Sequence, residues 1–225
     1  MSHENSVTLL GYYGGDNTHG QSAWTSTNTE LDQSRVQKLL AMLAKNDHHT
    51  PFEKSLIHFN VVTDIATHIQ LLKHRIGVSI NGESARYKEL KDDNKFYIPQ
   101  DWNEEWQTIL TSHNEVCNTL YHKALSSFYN NLITNIPVNL TEDERKKYTT
   151  DARKRAKESA RFFRSYSSQI SADISFNWRS FVHFYKLRAA SDAQLEIQIL
   201  AKQMLELIKT IPENPFKYTI EAFNL

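Results

Sequence analysis

The sequence has few cysteines, no long apolar run and no excess of charge of one sign, and each of these absences excludes a class of protein. Its single cysteine, Cys117, excludes an internal disulfide and any metal site built from several cysteines. No apolar run approaches the roughly 18 residues of a membrane span, and the N-terminus lacks the regions of a signal peptide. Lys+Arg and Asp+Glu balance at 26 each, so no overall field attracts nucleic acid or a membrane surface. We therefore expect a cytoplasmic protein that binds anions only locally.

What is present fits one globular domain. The chain has 225 residues, 40% of them hydrophobic and 23% charged, which is enough to bury a core. No Gly-rich phosphate loop follows any predicted strand, so we expect an α+β fold in which long helices flank a mostly antiparallel sheet. Hydrophobic periodicity predicts strands near 7–13, 54–62 and 168–176, and helices near 29–44, 102–131, 177–187 and 192–209, with a further helix opening at Thr141.

Residues 70–87, QLLKHRIGVSINGESARY, carry the strongest functional signal. Four basic side chains, Lys73, His74, Arg75 and Arg86, surround a polar stretch that contains Ser79, Asn81, Glu83 and Ser84. An apolar helical run precedes them, so the cations are expected where a helix ends and a loop begins. Helix capping and turn formation would account for the first cations but not for Arg86. Fixed cations next to hydroxyl, amide and carboxylate groups predict a site for a phosphorylated ligand with a polar ring.

Residues 176–197 form a second dense segment. Arg179, His183 and Arg188 are spaced by four and five residues among aromatic side chains, so they can line a cleft from one side of a helix. The cations between 145 and 164 alternate with acids, which is typical of a solvated helix rather than of a nucleic-acid surface. Within that stretch we expect Arg161 or Arg164, which flank two phenylalanines, to point inward.

The predicted long helix carries an apolar stripe that indicates either a core or a subunit interface. Its members recur at helical spacing: Trp106, Leu110, His113, Cys117, Leu120, Ala124 and Phe128. On this stripe Cys117 is better interpreted as a small buried hydrophobe than as a nucleophile. The histidines form no HExxH or cysteine-assisted set, so no metal site is predicted.

Together, these segments resemble the flavin-dependent thymidylate synthase family nearly end to end. The family signature is Arg-His-Arg, seven residues and then Ser-x-Arg-Tyr; here Lys73-His74-Arg75 is followed by eight residues and Ser84-Ala85-Arg86-Tyr87. Supporting matches are His48-His49-Thr50-Pro51-Phe52-Glu53, Phe96-Tyr97-Ile98-Pro99, Asn177-Trp178-Arg179-Ser180, Leu187-Arg188 and Ala193-Gln194-Leu195-Glu196-Ile197. The order and spacing of these motifs make the resemblance specific.

The resemblance implies a homotetramer with FAD held between subunits, methylating dUMP with methylenetetrahydrofolate and NADPH-derived reducing equivalents. It implies a flavin set of Ser26, Thr50, Glu53, Lys73, His74, Arg75, Asn81, Asn177 and His183. It implies a nucleotide set of Gln70, Lys73, Glu83, Ser84, Ala85, Arg86, Arg161 and Arg188. Arg188 matches the arginine that activates the uracil ring, which makes it the expected catalytic residue and removes the need for a cysteine thiolate.

Two departures from the signature leave the substrate open. Lys73 replaces the first Arg, which keeps the charge but loses the bidentate fork. The loop is one residue longer, so Gly82 stands where the family has Glu, and Glu83 takes that role only if the backbone bulges at Val78 to Ile80. One alternative is therefore a methylase or hydroxymethylase of another pyrimidine nucleotide such as dCMP. A second is a non-enzymatic nucleotide- or RNA-binding protein.

Overall fold

The computed structural model describes residues 4–26, 32–84, 86–90 and 95–225. Within these ranges the chain forms two compact units. The first, here called the hairpin unit, takes residue 4, residues 63–66 and the described part of 83–170. The second, the sheet unit, takes the described part of 5–62 together with 67–82 and 171–225. One domain over residues 1–225 stays a prediction.

A four-stranded sheet supports the α+β prediction. Its strands are β1 (Ser6–Tyr13), β2 (Leu56–Asp64), β3 (Val78–Gly82) and β4 (Gln169–Phe176). The order in the sheet is β1-β2-β4-β3. The two outer pairings, β1 with β2 and β3 with β4, are antiparallel, so the sheet is mostly antiparallel as predicted.

Eight α-helices lie in the described ranges. They are α1 (Asp16–Thr25), α2 (Val36–Lys45), α3 (Ile65–Leu71), α4 (Glu104–Thr134), α5 (Glu142–Ala160), α6 (Trp178–Arg188), α7 (Leu195–Lys209) and α8 (Lys217–Ala222). None of the helices in those ranges combines the length and apolar character needed to cross a membrane.

The core of the sheet unit follows from alternation along its strands. In β2, Ile57, Phe59 and Val61 are fully buried, and the residues between them are more exposed. Because successive side chains point to opposite faces, these three share one face of the sheet. They join a cluster with the aromatic residues of α6 and the apolar face of α7. This packing fixes the position of α6 relative to the strands.

The hairpin unit is built on α4 and α5, whose contact uses small residues. Ala152, Ala156 and Ala160 recur every four residues on α5 and are buried. Alanine at this spacing lets the helix approach Tyr121 and Leu125 of α4 closely. At the start of α5, which the sequence placed at Thr141, Thr141 and Glu144 form a capping box.

Most predicted elements are present, with boundaries shifted by a few residues, but three expectations need correction. The stretch from Val78 to Gly82 was assigned to a loop and is β3, because apolar Val78 and Ile80 alternate with polar Ser79 and Asn81. Helices α1 and α8 were not predicted at all. The predicted start of α2, residues 29–31, lies outside the described residues.

The third correction concerns the α4 stripe. The buried residues of α4 are Asn114, Tyr121 and Leu125, not the stripe itself. Within the chain, Trp106 is 55% exposed and Phe128 is 41% exposed, so the stripe as a whole does not line a core, although its Ala124 packs against the core of the hairpin unit. Cys117, a member of the stripe, is only half-buried, so it is not the fully buried side chain that was expected. The subunit interface stays a prediction.

Candidate active site

The N-terminus of α6 is held by a close contact with a single glycine. Gly77 adopts φ of +64°, and a Cβ there would come within 2.3 Å of both Asn177 Nδ2 and Ser180 Oγ. The Gly77 carbonyl accepts a hydrogen bond from the backbone N–H of Asn177 over 3.0 Å. Asn177 caps the helix, since its Oδ1 accepts from the N–H of Ser180 over 2.9 Å. Only glycine fits this position without displacing the cap.

The C-terminal end of α6 holds Arg188 in a fixed orientation. Its Nε donates to Nε2 of His74 over 2.9 Å, and its Nη1 donates to Oε1 of Gln70 over 3.2 Å. Nη2 lies 3.4 Å from the Gln70 carbonyl. A guanidinium has five N–H groups, so one hydrogen on each terminal nitrogen is left for a ligand by these three contacts. The side chain is therefore both pre-oriented and able to bind.

His74 is neutral in this arrangement. A ring nitrogen that accepts from Arg188 cannot carry a proton, so the tautomer has its hydrogen on Nδ1. Burial, the charge of Arg188 and the nearby His183 together lower the pKa of His74 to about 4. The His183 ring lies 6.2 Å from the His74 ring. The bond between Arg188 and His74 is thus maintained at neutral pH.

A cavity of about 630 Å³ opens beside α6 in the sheet unit. It brings together Glu53, Asn177 and His183 of the predicted flavin set. Arg179 and Lys186 also line it, so the wall carries two cations. Arg179 is paired with Glu53 through an Nη1–Oε1 contact of 2.5 Å, whereas Lys186 lies over the Phe223 ring at 5.8 Å. This leaves the cavity with excess positive charge from Lys186 and from the helix N-terminus.

A second cavity, of about 540 Å³, contains two further predicted flavin residues. Ser26 and Thr50 line it, as do Leu39 and Met42 of α2. His49 and Arg179 line both this cavity and the one beside α6. Because the two cavities share walls, they can be occupied by different parts of one extended ligand.

Not every predicted residue of the sheet unit reaches these cavities. Lys73 and Arg75 follow α3 and are exposed, and neither lines either cavity. Asn81 is exposed on β3, opposite Asp173 of β4 in the strand register. Of the Lys73-His74-Arg75 motif, only the central His74 is buried.

The rest of the predicted nucleotide set lies in the hairpin unit. Ser84 accepts a bond from the backbone N–H of Arg86 over 3.3 Å, and Arg86 pairs with Glu158 through an Nε–Oε1 contact of 2.6 Å. Arg161 is exposed in a short 3-10 helix, Arg161–Phe163. Ala85 lies outside the described residues.

Glu83 reaches its position without the expected bulge. Strand β3 pairs with β4 in unbroken register from Val78 to Gly82, so the bulge through which Glu83 would take the family's carboxylate role is absent from Val78 to Ile80. The side chain of Glu83 is 13% exposed and pairs with Lys88 at 2.8 Å. Burial lowers the pKa of Arg164, and the negative charge of Glu83 acts against that shift. Arg164 is therefore the inward-pointing member of the Arg161 and Arg164 pair.

Sequence reasoning left several lining residues out of the predicted flavin and nucleotide sets. His49 and Arg179 line both cavities, and Gly77 and Lys186 line the first. Arg179 had been marked as a cleft residue by its spacing from His183, and His49 stood in a quoted motif. Gly77 gave a signal as a lone glycine between a helix and a strand. For Lys186 the sequence offers only its spacing on α6.

Comparisons with known proteins agree on a family. The family described as thymidylate synthase complementing protein matches residues 8–213. A flavin-dependent thymidylate synthase from Thermosipho melanesiensis is 33% identical over 192 residues, covering 83% of this chain and 76% of that protein. The enzyme of the same name from Rickettsia bellii is 29% identical over 233 residues, covering 96% and 74%.

A solved structure shares the fold. It is described as a UMP/dUMP methylase from Streptomyces cacaoi bound with 5-Br UMP, and it matches with a TM-score of 0.71 at 23% identity. The match covers 100% of this chain and 95% of that one. An α+β chain with this cavity and a family match over most of its length is a member of the flavin-dependent thymidylate synthases. The protein belongs to that family.

Proposed function

We propose that the protein is a flavin-dependent thymidylate synthase, an enzyme that converts dUMP to dTMP with methylenetetrahydrofolate as carbon donor and NADPH-reduced FAD as hydride source. The observation that carries the proposal is Arg188, oriented by His74 and Gln70 with N–H groups left for a ligand. The names of the relatives support the reaction class. The structural neighbour, described as a UMP/dUMP methylase, supports a uracil nucleotide as substrate.

The residues around the two cavities fit a flavin dinucleotide. The cations Arg179 and Lys186 attract its pyrophosphate. The N-terminus of α6, a helix of eleven residues, adds the positive end of the helix dipole. Ser26, Thr50, Glu53, Asn177 and His183 offer hydroxyl, carboxylate, amide and imidazole groups for its polar atoms. In the proposal His74, Lys73, Arg75 and Asn81 complete the flavin set. When bound, the flavin supplies the hydride.

The role of Arg188 in the proposal is electrostatic. Carbon 5 of uracil is a poor nucleophile, and negative charge develops on the ring as that carbon is made nucleophilic. A fixed guanidinium aimed at this charge stabilises the transition state more than the ground state. The hydrogen bond from Arg188 to His74 keeps the guanidinium from rotating away. Arg188 thus holds the ring in place and lowers the barrier.

The proposal does not use a cysteine. Burial raises the pKa of Cys117, which disfavours the thiolate that covalent attack requires. Its Sγ lies 3.4 Å from Nε2 of His113, one helical turn away on α4. A neutral thiol on this helix is a weak nucleophile, which is consistent with activation by arginine instead.

The nucleotide set of the proposal also includes residues of the hairpin unit. Glu83, Ser84, Ala85, Arg86 and Arg161 are assigned to dUMP together with Gln70, Lys73 and Arg188. Arg86 and Glu83 already have ionic partners, Glu158 and Lys88. An incoming phosphate would compete with the carboxylate of Glu158 for the Arg86 guanidinium.

A related methylase of another pyrimidine nucleotide is the second candidate. Lys73 in place of Arg and the displaced carboxylate at Glu83 favour it, because both change groups that would read the nucleotide. The candidates include a dCMP methylase and a hydroxymethylating enzyme. UMP, which is named in the description of the structural neighbour, should be assayed as a substrate beside dCMP. A non-enzymatic nucleotide- or RNA-binding protein is the remaining alternative.

We also propose a homotetramer that shares its active sites. The support is the exposed apolar stripe of α4, which includes Trp106, Leu120 and Phe128 at 55%, 40% and 41% exposure. Monomeric proteins rarely expose such a patch on one helix. Sedimentation of the flavin-loaded protein should give a tetramer, and Trp106→Glu should shift it to smaller species. A flavin-loaded monomer in the wild type would contradict the assembly.

One assay tests the reaction. The purified protein should be yellow, and it should release tritium from C5-labelled dUMP when given methylenetetrahydrofolate and NADPH. No flavin and no release would favour a binding protein. Flavin without release from dUMP, but turnover of dCMP or UMP followed by product mass, would move the assignment to the second candidate.

A further inference from the structure

A chain of hydrogen-bonded side chains connects Arg188 with the start of α7. Arg188 Nη1 donates to Oε1 of Gln70, as described above. The other end of the same amide, Nε2 of Gln70, donates to Oε1 of Gln194. Nε2 of Gln194 donates in turn to Oε2 of Glu196 over 2.6 Å. Two amides therefore connect a guanidinium at one end with a carboxylate at the other.

The two ends fix the direction of this chain. A carboxylate only accepts hydrogen bonds, so Gln194 must turn its NH₂ toward Glu196 and its oxygen toward Gln70. A guanidinium only donates, so Gln70 must turn its oxygen toward Arg188. Both requirements are met by one head-to-tail arrangement, and a flip of either amide would place two donors or two acceptors against each other. Charged partners at both ends also strengthen the bonds between them.

The anchor of the chain is rigid. Glu196 is buried, at 9% exposure, in the first turn of α7, and its neighbour Ile197 is fully buried in the core. Gln194 is the N-cap residue of the same helix and is itself exposed. The buried carboxylate of Glu196 is thus a fixed acceptor for the solvent-exposed amide of Gln194, and this bond restricts rotation of the amide.

We propose that Gln194 and Glu196 are positioning residues, which act through Gln70 to hold the Arg188 guanidinium in the orientation that the reaction uses. The proposal rests on the function proposed above, in that Arg188 must act on the substrate. Neither residue touches the ligand in this scheme. Since Gln194 is exposed, water competes with its bonds and the effect is smaller than the loss of Arg188 itself.

A kinetic comparison tests the chain. Glu196→Gln replaces the carboxylate that can only accept hydrogen bonds with an amide that can also donate. Gln194→Ala removes the amide that links Gln70 to Glu196. Each should lower kcat by about two- to tenfold, the range expected for one partly solvated hydrogen bond, while KM for dUMP changes less. The double variant should be no worse than Gln194→Ala alone, because a cut chain no longer transmits the change at residue 196. Additive losses in the double variant would overturn the proposal.

Gln198→Ala is the matched control. Gln198 lies in the first turn of α7, and its side-chain amide donates to the Ala193 carbonyl over 2.7 Å. Its backbone N–H bonds to the Gln194 carbonyl and is kept in the variant, and within the described residues its side chain bonds only to backbone carbonyls, not to the side chains of Gln70, Gln194 or Glu196. It should lose stability without losing kcat. A fall in kcat equal to that of Glu196→Gln would show that the start of α7, and not the chain, is what matters.

A readout independent of turnover separates this inference from the proposed function. The charge of Arg188 helps to lower the pKa of His74, which can be followed by NMR of ¹³C-labelled histidine in the flavin-loaded protein. Glu196→Gln and Gln194→Ala should raise that pKa above its wild-type value, because Arg188 is no longer held against the ring. An unchanged pKa in both variants would overturn the positioning role even in an active enzyme. A raised pKa in an inactive protein would support the chain and reject the proposed reaction.

Discussion

Arg188 Nε lies 2.9 Å from Nε2 of His74 and donates a hydrogen bond to it. A basic side chain bonded to a histidine is unusual, because two cations would repel. The contact requires a neutral ring, and burial together with the charge of Arg188 provides one by lowering the pKa of His74 to about 4. The pair therefore keeps its geometry at neutral pH.

Arg188→Ala should reduce turnover far more than flavin content. A donor that acts on developing charge typically contributes about 10² to 10³ in rate. The measurement is kcat at saturating dUMP together with the flavin absorbance of the purified variant. Arg145→Ala, which removes an exposed arginine of α5, is the control and should leave both unchanged. A normal rate in Arg188→Ala would remove this residue from the chemistry.

Gly77→Ala should destabilise the protein and Gly82→Ala should not. A Cβ at Gly77 meets Asn177 and Ser180 at 2.3 Å with φ of +64°, whereas at Gly82 it meets His68 Nε2 at 3.6 Å without positive φ. Strain in left-handed geometry alone costs about 1 kcal/mol or more, and the clash adds to it. Chemical denaturation of both variants gives the comparison. Equal stability of the two would mean that the α6 cap tolerates displacement.

Acid should destabilise the fold partly through His19. This ring is fully buried and bonded to Thr219 and Ser55 at 3.0 and 2.9 Å. Burial lowers its pKa from 6.5 to about 4, so between these values the unfolded chain binds the extra proton and stability falls as the pH falls. The contribution lost from pH 7 to pH 5 is about 2 kcal/mol.

The check on His19 is the free energy of unfolding at pH 7 and pH 5 in the wild type and in His19→Gln. The variant should be less stable at pH 7 and should depend less on pH. Asp16 in the same network has a pKa raised by burial, so the folded protein holds its proton more readily than the unfolded chain does. Asp16 therefore adds stability as the pH falls toward the titration range of a carboxyl group. An equal pH dependence in both proteins would assign the acid sensitivity to other groups.

Periodicity predicted the parts of the fold that have a clean pattern and missed those that do not. The start of α5 at Thr141 and the long run of α4 were predictable because the helix signals there are strong and uninterrupted. Strand β3 was missed because its polar residues looked like a binding loop, although Val78 and Ile80 alternate as in an edge strand. Helix α1 has hardly any apolar face, and its burial of Asp16 and His19 depends on partners far along the chain.

The sequence predicted which residues of the candidate site lie in the same motif or helix, but not which motifs meet in the folded protein. Arg179 and His183 line one cavity, as their helical spacing predicted. The expectation that Arg188 shares that side of α6 is wrong, since nine residues along a helix place it about half a turn from Arg179, and it lines neither cavity. The meeting of these α6 residues with Glu53, Gln70 and His74 depends on tertiary packing, which no spacing rule contains. The extra role of Gln194 and Glu196 was visible only once the direction of the amides was known.

Cys117→Ser should leave deoxyuridylate methylation nearly intact. Cys117 has a raised pKa and contacts only its own helix neighbour His113 among the bonds described for it. Serine keeps the size and the hydrogen-bonding capacity, so any loss should be modest in stability and absent in rate. Turnover abolished with flavin content preserved would revive a covalent mechanism.

The last prediction concerns the carboxylate of the altered signature. Because β3 runs without a bulge to Gly82, Glu83 is the first residue after the strand, and its largely buried side chain pairs with Lys88 and acts electrostatically on Arg164. Without the bulge, Glu83 would have to serve the nucleotide directly from the end of the strand. On that hypothesis Glu83→Gln should impair use of dUMP strongly, since the loss leaves the partly buried charge of Arg164 without the negative charge of Glu83. Gly82→Ala, with ordinary contacts to His68, is the matched control and should be mild. Similar mild effects of both on kcat/KM with dUMP would show that no carboxylate is needed here, and turnover of dCMP in the same assay would then identify the substrate for which the loop is built.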